Sequence, residues 1–213
     1  MDPKETREKA IRDAKCGMIL DAAKQVFARK GFHATRLEDI AEAAGFSKAS
    51  LYNYYDSKEL IFISLADREY DRLIQELDRA VSVEAPLIDN LRTAMGIIFK
   101  GFGEHFALML EISDVRCMSA EHFKVMAAHH ADLVSGFKTK QTAMQSLFLG
   151  MVSNSRGRAE FSTDMSDADC ARFIGSIVRG IMMDWKRAGQ LGNAEQEIGL
   201  ALSFIAHGLR VGG

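Results

Sequence analysis

The sequence predicts an all-α fold in two parts, a three-helix head over residues 10–58 and a larger helical body over residues 59–213. Three observations carry this expectation. Only 2 prolines stand among 213 residues, so few positions forbid helix. Apolar residues recur at i, i+3 and i+4 in stretch after stretch, and nowhere alternate as a half-buried strand would. Glycines and capping residues punctuate those stretches at helical lengths.

Met18, Ile19, Ala22, Ala23, Val26 and Phe27 stripe the first helix. Arg29 and Lys30 suit its C-terminus, and Gly31 ends it. Thr35-Arg36-Leu37-Glu38 reads as a capping box, with the Thr35 side chain on the Glu38 amide and Glu38 reaching back. The helix it opens is short, carries Leu37, Ile40, Ala41 and Ala44 inward, and stops at Gly45. Ser47 caps a third helix running from Lys48 to Tyr55. Asp56-Ser57-Lys58-Glu59 starts a long fourth helix with Phe62, Ala66, Tyr70, Leu73 and Leu77 on one face.

Pro86 marks the next boundary, after which Leu91, Met95, Ile98 and Phe102 give a fifth helix. A very long helix is expected from about Ala120 to Val152, followed by a polar surface loop from Asn154 to Asp167. Two last helices follow, one lined by Phe173, Ile177, Ile181 and Trp185, the other by Ile198, Leu202, Ile205 and Leu209. Gly189-Gln190-Leu191-Gly192 separates them.

With 47% hydrophobic and 26% charged residues the chain is composed like a globular protein, not a disordered one. Its formal net charge of −2 offers no general attraction for nucleic acid. The cysteines Cys16, Cys117 and Cys170 form no CxxC pair and read as reduced thiols. The N-terminus lacks a signal-peptide core, and no uncharged apolar run approaches the roughly 20 residues that span a bilayer. A cytoplasmic protein with no membrane association is expected.

Two short helices joined at a glycine, the second capped by serine, describe a helix-turn-helix, whose second helix enters the major groove of DNA. Leu51 and Tyr55 can anchor that helix, leaving Lys48, Ser50, Tyr52, Asn53 and Tyr54 outside. Their ammonium, hydroxyl and amide groups suit phosphate oxygens and base edges. Ala49 and Ser50 are small enough to let the helix start approach the bases. A three-helix bundle with a merely polar surface helix fits less well, because three aromatics within four residues exceed what so short a helix can bury. The supporting charge is modest: Lys24 to Lys58 carries six Lys/Arg and four Asp/Glu, a net of +2. Glu38, Asp39 and Glu42 are expected on the supporting helix, leaving the groove-facing surface positive.

The stretch from Ile19 to Leu65 resembles the DNA-binding head of the tetracycline-repressor-like (TetR) family. The resemblance lies in the phenylalanine and glycine ending the first helix, Thr35, Asp39-Ile40-Ala41, Ala44-Gly45, Ser47-Lys48, Leu51-Tyr52 and Ser57-Lys58-Glu59. It implies that Thr35 bonds a phosphate and that Lys48, Ala49 and Ser50 face the groove. Tyr52, Tyr54 and Lys58 would hold further phosphates, and Asn53 is the candidate for sequence discrimination. Tyr55 would be a core residue. The resemblance also implies a repressor, and a dimer formed by the last two helices.

For the body the sequence adds support of its own. The helix from Phe173 to Trp185 is apolar around more than one face, and Gly175, Gly180 and Gly199 permit close approach of another helix. Phe173, Ile177, Ile181, Trp185, Leu202 and Ile205 are the candidates for pairing two copies on a palindromic operator. The Met- and Phe-rich stretch from Leu87 to Met151 suits a small, largely apolar effector, with Met95, Phe102, His105, Met126, His130 and Gln141 as candidate contacts.

Metal sensing is the rival reading, on Cys117, His122, His129 and His130, but no pair has the i, i+4 spacing that puts two ligands on one helix face. An activator of the same fold is the other alternative. An enzyme is not expected, for the sequence has no phosphate-cradling glycine loop, nucleophile elbow or HExxH, and no cofactor is implied.

Overall fold

The computed structural model describes residues 2–104 and 131–210, with side chains in the second stretch from residue 139 onward apart from Gln141. Among the described residues it is all-α. In chain order the helices are α1 (Pro3–Lys30), α2 (Leu37–Ala43), α3 (Lys48–Tyr52), α4 (Lys58–Ala80), α5 (Leu87–Glu104), α6 (Ala131–Gly157), α7 (Asp167–Ala188) and α8 (Ala194–Leu209). They fall into two compact units, one built from the chain up to Glu69, the other from Tyr70 through α5 and again from Ser135 onward.

In the first unit, α1 starts on Pro3 with the Asp2 carboxylate accepting from the Lys4 amide at 3.0 Å. Residues 2–15 are all exposed, and the buried face opens only at Ile19. From there Ala23, Val26 and Phe27 join Ile40 of α2, Leu51 of α3 and Ile61 of α4 in the core. Phe27, Phe32 and Phe62 close one end, the last two ring centroids 4.9 Å apart and edge-on. Arg68 of α4 ties back to α1, donating to the Gly17 carbonyl at 3.2 Å and pairing with Asp21 at 2.8 Å.

The second helix departs from its expected start. α2 begins at Leu37, and Asp39 closes its cap by accepting from the Arg36 amide at 2.9 Å. Thr35 is not the cap; it is buried, and its hydroxyl donates to the Gly31 carbonyl at 2.6 Å. Asp39 stands to Arg36 as Glu38 stands to Thr35, so the same spacing fits a boundary one position later, and the folded turn adopts that one. α3 is shorter than the expected Lys48–Tyr55, giving way to tight turns after Tyr52.

In the second unit, α8 packs on α5 and α7. Leu91, Met95 and Phe99 of α5, Ile174 of α7, and Leu202 and Ile205 of α8 are all buried in its core. Asn90 is buried without a polar deficit: its amide donates to the carbonyls of Ser82 at 2.7 Å and Ala85 at 3.2 Å. The expected loop from Asn154 to Asp167 is partly helix, since α6 runs on to Gly157. Its remainder is pinned, with Glu160 accepting from the Leu87 amide at 2.7 Å and Phe161 buried beneath the Arg156 guanidinium. Polar composition signalled a surface loop here, yet Arg156 and Arg158 donate to the carbonyls of Thr163, Met165 and Ala85 and also pair with Asp167 and Glu160. Of the expected long helix, residues 120–130 lie outside the described residues.

Candidate nucleic-acid interface

Local chemistry builds the α2–α3 corner. At the end of α2 the Phe46 amide donates to the Ala41 carbonyl at 2.8 Å and the Gly45 amide to that of Glu42 at 3.1 Å. This double closure requires a left-handed residue between them, and Gly45 supplies it at φ +73°. Ser47 then accepts from the Ser50 amide at 3.1 Å and opens α3. Leu51, fully buried, and Tyr55 anchor the helix. The Tyr55 hydroxyl meets the Cys16 thiol and Ser64, and burial pushes its ionisation well above the ordinary phenol value.

With those anchors inward, Ser47, Lys48, Ala49, Tyr52 and Asn53 are exposed, and Ser50 and Tyr54 half-buried. They form one continuous polar and aromatic surface. Tyr54 leans edge-on against Phe46, centroids 6.0 Å apart, and carries Arg12 and Lys15 of α1 over its ring at 5.5 and 5.9 Å.

The structure engages several head cations internally. Lys48 pairs with Glu38 of α2, and a hydrogen bond between them holds the Glu38 carboxyl below its usual value and raises the Lys48 ammonium. Lys30 pairs with Asp39 at 2.7 Å, which lowers the Asp39 carboxyl. Lys58 donates to the carbonyls of Phe32, His33 and Thr35 at 2.8, 3.1 and 2.9 Å and lies 4.6 Å from the Phe32 ring centroid. It fastens the turn that Thr35 closes from within. The acids expected to stay on a supporting helix clear of the groove side therefore include one, Glu38, that reaches the first residue of α3. Sequence spacing could not reveal this pairing, because Glu38 and Lys48 meet only through the angle between α2 and α3. The place of Arg12 and Lys15 beside Tyr54 also escaped the sequence reading, although five cations before Cys16 were the available signal.

In the body, Met95 is fully buried and Phe102 nearly so. His105, Met126 and His130 lie outside the described residues, as does the side chain of Gln141. A shallow cleft is lined by Asp78 of α4, Ser82 of the α4–α5 connection, Asn90 of α5, and Met151 and Asn154 of α6, among others, none of them an expected effector contact. Cys117, His122 and His129 also lie outside the described residues, and no group of three metal-ligating side chains stands among the described ones. No described helix is long and apolar enough to cross a membrane.

The expected pairing residues divide. Trp185, Leu202 and Ile205 are buried in the second unit's own core, Trp185 against Phe99 at 5.0 Å, so they offer no surface to another chain. Phe173 is 49% exposed, and Ile177 and Ile181 are half-buried on the same face of α7. Leu200 and Phe204 of α8, 61% and 70% exposed, are the larger apolar surfaces there. The sequence could not separate these sets, since both helices are apolar on more than one face.

Residues 19–65 match the model of bacterial regulatory proteins of the tetR family. The HTH-type transcriptional regulator YfiR of Bacillus subtilis is 39% identical over 80 residues, 38% of this chain and 38% of YfiR. The HTH-type transcriptional activator FasR of Mycolicibacterium smegmatis is 34% identical over 94 residues, 44% of this chain and 42% of FasR. The matched stretch thus spans about two fifths of each relative. In fold the likeness is wider: FadR from Bacillus subtilis, solved in complex with stearoyl-CoA, superposes with a TM-score of 0.68 at 18% identity, covering 90% of this chain and 97% of that one.

Proposed function

The chain belongs to the tetR family of bacterial regulatory proteins, and from that premise we propose that it is a ligand-responsive regulator that binds a palindromic operator as a homodimer. The observation that carries the reading is the exposed surface from Ser47 to Tyr54, set on a helix that Ser47 caps and Leu51 and Tyr55 hold down. In this reading Lys48, Ala49 and Ser50 enter the groove, Asn53 discriminates between operators, and Tyr52 and Tyr54 hold phosphates. Thr35 and Lys58 act by fixing the turn from Gly31 to Thr35, because both side chains are committed inside it.

The two-fold partner is a second copy docked on Phe173, Ile177 and Ile181 of α7 with Leu200 and Phe204 of α8. A Cβ at Gly180 or Gly199 would meet open space, leaving room for a neighbouring helix. The effector is a small, largely apolar molecule held by the body at Met95 and Phe102, with His105, Met126, His130 and Gln141 as further contacts. The stearoyl-CoA in FadR supports an effector of this class. Linkage supplies the mechanism: a ligand that prefers one body conformation shifts operator affinity by its coupling energy, typically 1–3 kcal/mol or roughly 5–150-fold.

The test is selection of duplexes from random sequence by the purified chain, then operator titration with and without acyl-CoA thioesters. A selected palindrome whose affinity falls on adding ligand is expected; failure to enrich any duplex would sink the reading. In this reading the protein is a repressor, relieved when the ligand releases it from the operator. Activation is the second reading, favoured by FasR being an activator, and a promoter-reporter assay separates the two.

A further inference from the structure

The cations assigned to DNA by their position on α3 and α4 are internally engaged, whereas two on α1 are not. Lys48 is paired with Glu38, and Lys58 is enclosed by three carbonyls. Freeing Lys48 for a phosphate leaves Glu38 beside the same duplex, so the pair contributes little net positive charge. Arg12 and Lys15 form no ion pair with a described residue. Both stand over the Tyr54 ring, which also packs edge-on with Phe46 at the α2–α3 turn. The ring orients the two cations without neutralising them. The helix that bears them is capped at Asp2 and exposed through residue 15.

We propose that these first turns of α1 belong to the DNA-binding surface, with Arg12 and Lys15 as phosphate ligands stacked beside α3. The inference rests on the DNA-binding reading above and adds an element that the α2–α3 corner does not include. One occupant fits. The pair is cationic, it continues the Ser47–Tyr54 surface through Tyr54, and a duplex bound there presents a phosphate backbone on either side of the groove. Arg12 and Lys15 lie within about 60° of one another around the helix and about 4.5 Å apart along its axis, so both can face one strand. Lys4, paired with Glu8 at 4.0 Å, is farther along the same helix and carries no part of the argument.

Each phosphate neutralised steepens the dependence of log affinity on log salt by about 0.9. The experiment titrates the full-length double variant Arg12→Gln/Lys15→Gln against a selected duplex and an unrelated one of equal length, across a salt series. The slope should become shallower by about 0.9–1.8 on both duplexes, with affinity for the two falling by a common factor. Arg12→Lys/Lys15→Arg should keep the wild-type slope. Thermal melting should match wild type, since both side chains are exposed. An unchanged slope in the Gln variant overturns the inference while leaving the DNA-binding reading standing. Wild-type protein that binds neither duplex overturns both.

Discussion

Lys58 stands where a protein that reads DNA could present a cation, yet its ammonium holds three carbonyls of the Phe32–Thr35 turn. Hydrogen bonds to a charged group contribute about 1.5–3 kcal/mol, and three partners on one turn make Lys58→Ala a stability variant before it is an affinity variant. It should lower the melting temperature of the chain by an amount matching about 1–3 kcal/mol, and leave the salt slope of DNA binding close to wild type. A slope shallower by a full phosphate contact would return Lys58 to the duplex. Asp39 gives a pH prediction with a definite sign. Its carboxyl is held down, first by the Lys30 hydrogen bond and then by the Arg36 amide. A depressed folded value means the stabilisation is present above the ordinary value and is lost as pH falls through the folded one. The melting difference between wild type and Asp39→Asn should therefore be full near neutrality and shrink below about pH 4. A difference that persists unchanged into acid would exclude the ion pair as its source. Ser47 was legible as a cap because its partner, the Ser50 amide, is three residues away. Asp39 was not, because two neighbouring carboxylates offered the same local closure.

Elements were legible where their signals were local. The stops at Gly31, Gly45 and Gly189 were readable because each supplies a left-handed backbone. The third helix proved shorter than expected: after Tyr52 the chain closes in tight turns, the Asn53 and Tyr54 amides donating to the carbonyls of Ser50 and Leu51 at 3.3 and 2.9 Å. Between α7 and α8 a different constraint operates. Gly192 lies against the Trp185 indole, where an added Cβ would fall 2.9 Å from Cε2 and nearer still to Nε1. The ring cannot yield, since Phe99 and Phe102 hold its other side at 5.0 and 6.3 Å. Gly192→Ala should destabilise the body by about 1–3 kcal/mol, the usual cost of overpacking, seen as a lower denaturation midpoint. A neutral Gly192→Ala would mean that the α7–α8 connection shifts freely. Sequence patterning could mark this glycine only as a separator of helices, because its neighbour is seven residues away.

At the scale of the whole molecule, apolar content predicted pairing helices without saying which residues serve the core and which the partner. The exposed pair decides the proposal: Leu200→Asp/Phe204→Asp should sediment as a folded, helical monomer and lose operator binding. Trp185→Asp should instead unfold the body, placing a charge in its core. A dimeric Leu200→Asp/Phe204→Asp variant would move the interface elsewhere. The same tryptophan has a practical consequence. It is the only one in the chain, it is buried against Phe99 and Phe102, and its indole N–H has no hydrogen-bond partner among the described residues. Three of the four tyrosines, Tyr52, Tyr54 and Tyr55, belong instead to the other unit. Light that excites only indole thus reports on the body alone, from a blue-shifted emission that reddens as water reaches the ring. The unmodified protein carries its own optical probe, able to time the proposed effector's arrival in the body separately from the proposed release of DNA.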